Sequence, residues 1–278
     1  MSDRGQPVQI IYQTRFSYLG QSGWQSAAST DPALLFDDAR LARRFALFER
    51  LTLPSLAAQT DPDFLHVVLT ARTMPKLWRK RLVELCSDTL GPERVRVMAK
   101  GPASASLRFR VFVRRHFDPR QPLAQVVLDD DDALSCDFTE LLKIEAHHAV
   151  THDLPRSGYT FLSFATGLSL HLHDHAPPSL AWRNVPFTNL GLSLVAPADT
   201  DRHPLATSHK RIGERHPSRV IAARRPFYIR TVHGDNDSRA FADTTPLSRK
   251  RLFAAHQAFP FLADAMQSPM VAPLLAAQ

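Results

Sequence analysis

The sequence predicts an α/β fold, with a largely parallel sheet flanked by helices and a second half rich in hairpins. Three observations carry that expectation. Short apolar runs rich in β-branched residues alternate with amphipathic stretches through the first 136 residues. The remainder is richer in Pro and His, and its strand-like runs follow one another closely. One apolar run, Val126-Val127-Leu128, ends directly in four consecutive aspartates, Asp129 to Asp132.

Each element has a local reason. Val8-Gln9-Ile10-Ile11-Tyr12 reads as a first strand. Residues 21–33, rich in Ser, Gln and Ala, read as a loop. A helix is expected from about Asp37, because Leu41, Phe45, Phe48 and Leu51 recur at spacings of four and three and form one apolar stripe. Pro54 should kink or restart that helix. Asp61-Pro62-Asp63 is a turn, and Phe64 to Leu69 a second strand. Pro75 opens a helix carrying Leu77, Trp78, Leu82 and Leu85. Val95 and Val97 mark a short strand, and residues 104–117 fit a helix. After the acidic block, Asp137 with Glu140 three residues on forms a capping box. Tyr159 to Phe164 and Leu168 to His173 flank Ala165-Thr166-Gly167 as a hairpin. Leu190 to Val195 and Phe227 to Val232 are further strands, and residues 246–262 a helix. The Pro/Ala-rich tail after Ser268 is expected to be loosely held.

Composition narrows the class. The chain has 278 residues, 44% hydrophobic and 22% charged, enough for one large domain or two small ones. No apolar run reaches membrane-spanning length, and Met1 to Pro7 lacks the apolar core of a signal peptide. Cys86 and Cys136 form neither a disulfide framework nor a CxxC pair. A cytoplasmic protein is expected. The net charge is +7, with basic clusters at Arg43-Arg44, Arg79-Lys80-Arg81, Arg114-Arg115 and Arg224-Arg225. No aromatic RNA-binding motif or zinc-finger spacing accompanies them, so nucleic acid is not an expected partner. Membrane contact should be peripheral at most.

The acidic block carries the chemistry. Four adjacent carboxylates repel one another and cost folding energy unless a cation neutralises them. Oxygen ligands of this kind suit Mg²⁺ or Mn²⁺. Such an ion typically bridges to a phosphate, and open α/β sheets place their ligands beyond the carboxyl ends of strands.

Several segments together resemble a known family. Thr52-Leu53-Pro54-Ser55-Leu56-Ala57-Ala58-Gln59-Thr60, followed by the strand ending Val67-Val68-Leu69, is similar to the second βα unit of glycosyltransferases with the GT-A fold. Leu128-Asp129-Asp130-Asp131-Asp132-Ala133-Leu134 resembles their DxD motif in its DxDD form. With Thr14-Arg15-Phe16-Ser17, Arg44-Phe45-Ala46-Leu47-Phe48-Glu49 and Thr231-Val232-His233-Gly234-Asp235-Asn236, the pattern most resembles the rhamnosyltransferase family of that fold, over roughly residues 8–240. The resemblance implies a single GT-A-like, Rossmann-related domain, an α/β fold with a mixed sheet flanked by helices. Residues 8–136 would bind the nucleotide sugar, 137–262 the acceptor, and 263–278 form a tail. It also implies a nucleoside-diphosphate sugar donor such as dTDP-rhamnose, a glycan or glycolipid acceptor, and Mn²⁺ or Mg²⁺. One departure stands out. Many relatives carry an acid after the second strand to contact the base, whereas Thr70-Ala71-Arg72-Thr73 has none.

By the same resemblance Asp131 is the direct metal ligand and Asp129 lies near the ribose. Asp130 and Asp132 act through water or contact the sugar. His233 is the further metal ligand, with His209 its rival. Asp199 and Asp201 are candidates for the base that deprotonates the acceptor hydroxyl, with Asp174 the alternative. Arg15 could grip phosphate through its bidentate fork, as could Arg108 or Arg110. Trp182 could stack on a sugar. The alternating histidines of His171-Leu172-His173-Asp174-His175 read as a solvent-facing strand edge and not as a zinc site. Two other functions fit parts of the sequence. A phosphohydrolase of the haloacid dehalogenase type would use Asp129 as nucleophile and Asp131 as general acid. Against it stand Ala133, Arg239 and the long α/β sequence before the motif. A sugar- or cation-binding module would explain the acidic block but not its surroundings.

Overall fold

A computed structural model describes residues 8–21, 28, 30–172, 177–234 and 247–263. The expectations placed on His173, Asp174, His175, Asp235, Arg239 and the tail fall outside those residues.

Two sheets organise the chain. The larger contains β1 (Gln9–Phe16), β2 (Leu65–Ala71), β3 (Val95–Lys100), β4 (Pro122–Val127), β6 (Thr160–Phe164), β9 (Ser193–Pro197) and β10 (Ser218–Ile221), in the order β10-β6-β9-β4-β1-β2-β3. The neighbours β4, β1, β2 and β3 run parallel, whereas β9 is antiparallel to both β4 and β6. The sheet is therefore mixed, as expected. The smaller contains β5 (Ala133–Leu134), β7 (Thr166–His171), β8 (Ser179–Asn184) and β11 (Tyr228–Val232), in the order β5-β11-β7-β8.

Helices α1 (Pro32–Leu35), α2 (Asp38–Leu47), α3 (Leu53–Ala57), α4 (Lys76–Leu90), α5 (Ala105–His116), α6 (Phe138–His152), α7 (Leu154–Ser157), α8 (Ile212–Arg215) and α9 (Arg249–Ala258) surround the sheets. Alternation along β1 sets the layers. Ile10 and Tyr12 pack with Phe45 of α2, Leu82 of α4 and Leu142 of α6. Ile11 faces the other way, onto Phe109 and Val113 of α5. Fully burying each such side chain contributes about 1.5–3 kcal/mol. A third cluster joins Leu168 and Ile229 of the smaller sheet to Ala255, Ala258 and Phe259 of the α9 segment.

The stripe Leu41, Phe45, Phe48 and Leu51 is buried as its spacing requires. A π-helical turn, Phe48–Thr52, joins α2 to α3 immediately before Pro54. Proline has no N–H for the carbonyl of residue 50, and the wider turn carries the chain past that gap.

Two local expectations are corrected. β6 and β7, one residue apart, do not form a hairpin, because each joins a different sheet. The chain crosses between sheets at Ala165, and Gly167 then packs so closely on Tyr228 that a Cβ there would lie 2.3 Å from the ring. The capping box is also absent: Asp137 makes no side-chain cap on α6, and Arg225 pairs with it instead. Glu140 instead accepts a hydrogen bond from Thr60 Oγ1 at 3.2 Å.

Candidate active site

The four aspartates form a turn at the carboxyl end of β4, where Asp132 N–H donates to Asp129 C=O at 3.4 Å. The turn leads straight into β5, which pairs antiparallel with β11 through Ile229 opposite Ala133. That register folds the end of β11 back over the turn. Asp132 Oδ1 accepts the Thr231 N–H at 2.8 Å, and His233 Nε2 lies 3.0 Å from Asp131 Oδ2. Two stretches a hundred positions apart in sequence thus meet through one short strand pair.

Arginines neutralise the rest of the block. Arg15, from the end of β1, donates to Asp129 Oδ1 at 2.6 Å. Arg44 of α2 grips Asp130 with two donors, one of them Nε to Oδ2 at 3.0 Å. Its Nη1 lies 3.6 Å from Asp131 Oδ2. Burial grades across the turn. The Asp129 side chain keeps 26% exposure, whereas Asp130 has none.

The carboxyls respond differently to this setting. Burial pushes Asp130 up to about 6, even against the Arg44 charge. Burial pushes Asp131 the same way, but Arg44 and the His233 hydrogen bond outweigh it and hold Asp131 at about 2. Asp132 is raised well above the ordinary carboxylate range by burial and then by the Asp131 and Asp129 charges. Of these three, Asp131 is the one most firmly held as an anion.

A clasp beneath the turn positions it. Gln59, just after α3, donates to Ser135 C=O at 2.8 Å, and its Oε1 accepts from Thr139 N–H at 2.8 Å. Thr60 N–H adds a bond to Cys136 C=O at 2.7 Å. The Gln-Thr pair of the family-like segment is therefore a fastening for the loop that follows the acidic block.

The structure brings Asp129, Asp131, His233 and Arg15 to one sheet edge. Asp130 and Asp132 are corrected as substrate contacts: the first is sealed against Arg44, and the second is turned onto β11. His209 is bound elsewhere, its Nδ1 2.8 Å from Phe187 C=O. Asp199 and Asp201 are not at this edge. β9 runs antiparallel to β4 and pairs Pro197 with Pro122, so both aspartates follow the opposite end of β4. The strand between is roughly 20 Å long. Asp201 is bound there by Arg110 and Arg114 at 2.7 and 2.8 Å, and these arginines hold its carboxyl low. Arg108 donates to Gly101 C=O and does not reach the block. Trp182 is half-buried under α9, with Arg251 lying over its ring at 4.5 Å. His171 is buried, so the histidine stretch does not begin as a solvent edge.

Arg44 is the residue missed as a partner of the block. Its signal lay in the helical stripe, three positions after Leu41 and four before Phe48. A cation at a core position needs a buried anion.

Asp131 and His233 offer one carboxylate oxygen and one imidazole nitrogen, a donor set that fits Mn²⁺ more readily than Mg²⁺. Among the described residues no group of three or more His, Cys, Asp or Glu side chains is arranged to hold a metal. The remaining ligands would have to come from phosphate oxygens and water, as is usual for ions of this kind.

A mixed α/β sheet with a buried acidic turn beyond a central strand is the setting in which the comparisons fall. The family model described as "Putative rhamnosyl transferase" matches residues 9–244, and the chain belongs to that family. No curated protein matches the sequence. Among solved structures, residues 1–349 of S. aureus TarS share 12% identity at a TM-score of 0.41, covering 81% of this chain and 60% of that one. The complex of that fragment with UDP gives 12% and 0.40, covering 81% and 61%. The WbbM bifunctional glycosyltransferase gives 16% and 0.27, covering 57% and 23%. The chain thus spans about 60% of the TarS fragment it is similar to.

Among the described residues no helix is long and apolar enough to cross a membrane.

Proposed function

We propose that this protein is a metal-dependent glycosyltransferase that moves a sugar, rhamnose in the reading its family suggests, from a nucleoside diphosphate to a glycan or glycolipid acceptor. The observation that carries the reading is the meeting of Asp131 with His233 at a buried sheet edge, in a chain of this family. Asp131 and His233 would hold Mn²⁺ or Mg²⁺. A bound ion there would offset the charge that grows on the diphosphate as the sugar bond breaks.

The chain's own residues prepare that event. Arg44 keeps Asp131 ionised, and the β11 register presents His233 to it. Arg15 holds Asp129 at the mouth of the site, where a ribose or phosphate would meet both. Asp174, three residues beyond His171, is the remaining candidate for the acceptor base. The phosphohydrolase reading would need Asp129 free to attack phosphorus, yet Arg15 occupies it.

The test is turnover of a panel of nucleoside-diphosphate sugars, dTDP-rhamnose included, with Mn²⁺ and glycan acceptors. The reading expects release of the nucleoside diphosphate with transfer of the sugar, lost in Asp131→Asn. Cleavage of a simple phosphomonoester that disappears in Asp129→Asn would favour the phosphohydrolase and overturn it.

A further inference from the structure

A cavity of about 560 Å³ opens on the smaller sheet, at the end remote from His233. Trp182, Asn184, Arg224, Lys250 and Arg251 are in its wall. The strand register places it. Thr166 pairs with Asn184 beside the cavity, while His171 pairs with Val232 next to His233. The six residues from Thr166 to His171 span about 17 Å of strand. The cavity is therefore separate from the acidic turn.

Its wall is cationic. Among the described residues no Asp or Glu lines it, and no ion pair engages Arg224, Lys250 or Arg251. The adjacent Arg225 makes the contrast, since it is tied to Asp137 and lies over the Phe227 ring. Arg251 rests on the Trp182 indole, 4.5 Å from the ring centre, which fixes its guanidinium at the wall. α9 also begins here. Ser248 caps it, and its first turn adds partial positive charge from unpaired N–H groups. Gathered cations repel one another, and an anion in the cavity removes that cost. The volume lies within the range of small-ligand sites. Two guanidinium forks and an ammonium match the oxygens of a phosphate better than the two of a carboxylate. Asn184 and Ser248 supply neutral polar groups for hydroxyls beside it.

We propose that this cavity binds a phosphate ester, and that the ester is part of the acceptor. The second half of the statement rests on the glycosyl-transfer reading; the first half does not. The anionic group would be held at one end of the smaller sheet while the acceptor's hydroxyl-bearing portion extends along it towards His233.

The test is equilibrium titration of the full chain with glucose 6-phosphate, and co-sedimentation with phosphatidylcholine vesicles with and without phosphatidylglycerol. The comparison is with Arg224→Gln/Lys250→Gln, whose altered residues are both exposed. Urea unfolding and nucleoside-diphosphate binding are measured on both proteins as controls. The proposal expects a phosphate probe to bind the native chain and to bind the double variant at least about tenfold more weakly, with nucleoside-diphosphate binding unchanged. Arg224→Lys/Lys250→Arg should retain binding. Binding of glucose 6-phosphate alone assigns a soluble phosphorylated saccharide, and binding of the anionic vesicles a lipid-linked one. The phosphate site is overturned if no phosphate probe binds, or if the double variant binds as tightly as the native chain. Loss of phosphate binding in the variant, in a protein that binds no nucleoside diphosphate, would keep the phosphate site and discard its link to glycosyl transfer.

Discussion

Replacing Arg44 by Leu removes the only described side chain that ion-pairs with Asp130. The Asp130 side chain has no exposure and that of Arg44 has 4%, so water cannot take the arginine's place. Breaking a buried pair from one side costs about 3–5 kcal/mol, because the surviving charge is stranded. Against a typical total of about 5–15 kcal/mol, that is a large fraction of the stability. The turn also loses the cation 3.6 Å from Asp131, so two carboxylates suffer at once. Adding Asp130→Asn to Arg44→Leu removes the stranded charge and should restore about 2 kcal/mol or more, a coupling that a double-mutant cycle isolates. Arg44→Lys should fall between, since an ammonium cannot reproduce the two-pronged grip. Urea unfolding at neutral pH reads these proteins together with the single Asp130→Asn that closes the cycle. If Arg44→Leu costs less than about 1 kcal/mol, or if Asp130→Asn brings no recovery, the neutralisation argument is wrong.

Two further perturbations probe the frame and its pH response. Gln59→Ala leaves the buried Thr139 N–H without its partner and takes from the Ser135 C=O one of its two donors, the Phe138 N–H being the other, so unfolding should become easier by about 1–3 kcal/mol; an unchanged urea midpoint would show that the clasp is idle. His203 is buried against Phe109, and burial, then the charges of Arg110 and Arg15, lower its pKa to about 3. Between about 6.5 and 3 the unfolded chain therefore binds a proton that the folded one refuses, so this histidine's contribution is whole above pH 6.5 and is lost as the pH falls, by about 1.4 kcal/mol per unit. The stability difference between native protein and His203→Gln should accordingly narrow with acidification from pH 7 to 5, and a difference independent of pH would contradict that burial.

The sequence showed local features well and tertiary partnerships poorly. The acidic turn was legible because its cause is local: an apolar β-branched run fixes a strand, and four carboxylates cannot continue it. The stripe from Leu41 to Leu51 was legible for the same reason, since helical period alone buries it. Asp199 and Asp201 were misplaced because nothing in Leu190 to Val195 tells which way the strand runs. Antiparallel pairing with β4 sends its end away from the site. β6 and β7 looked like a hairpin because a single residue separates them, yet strand partners are chosen by packing, not by proximity in sequence. Asp137 satisfied the local rule for a cap, and the Arg225 guanidinium outbid the helix for it. Arg44 was hidden because its anionic partner lies 86 positions away in sequence.

The central claim is that Asp131 and His233 create a seat for a divalent ion beneath a diphosphate. Calorimetric titration of nucleoside diphosphates into the native protein, with Mn²⁺ and with a chelator, reads it directly, with Asp131→Asn and His233→Ala as comparisons. The account predicts that Mn²⁺ tightens nucleotide binding by about tenfold or more, and that either substitution removes the gain. Equal affinity with and without Mn²⁺, or a gain that survives Asp131→Asn, would contradict it.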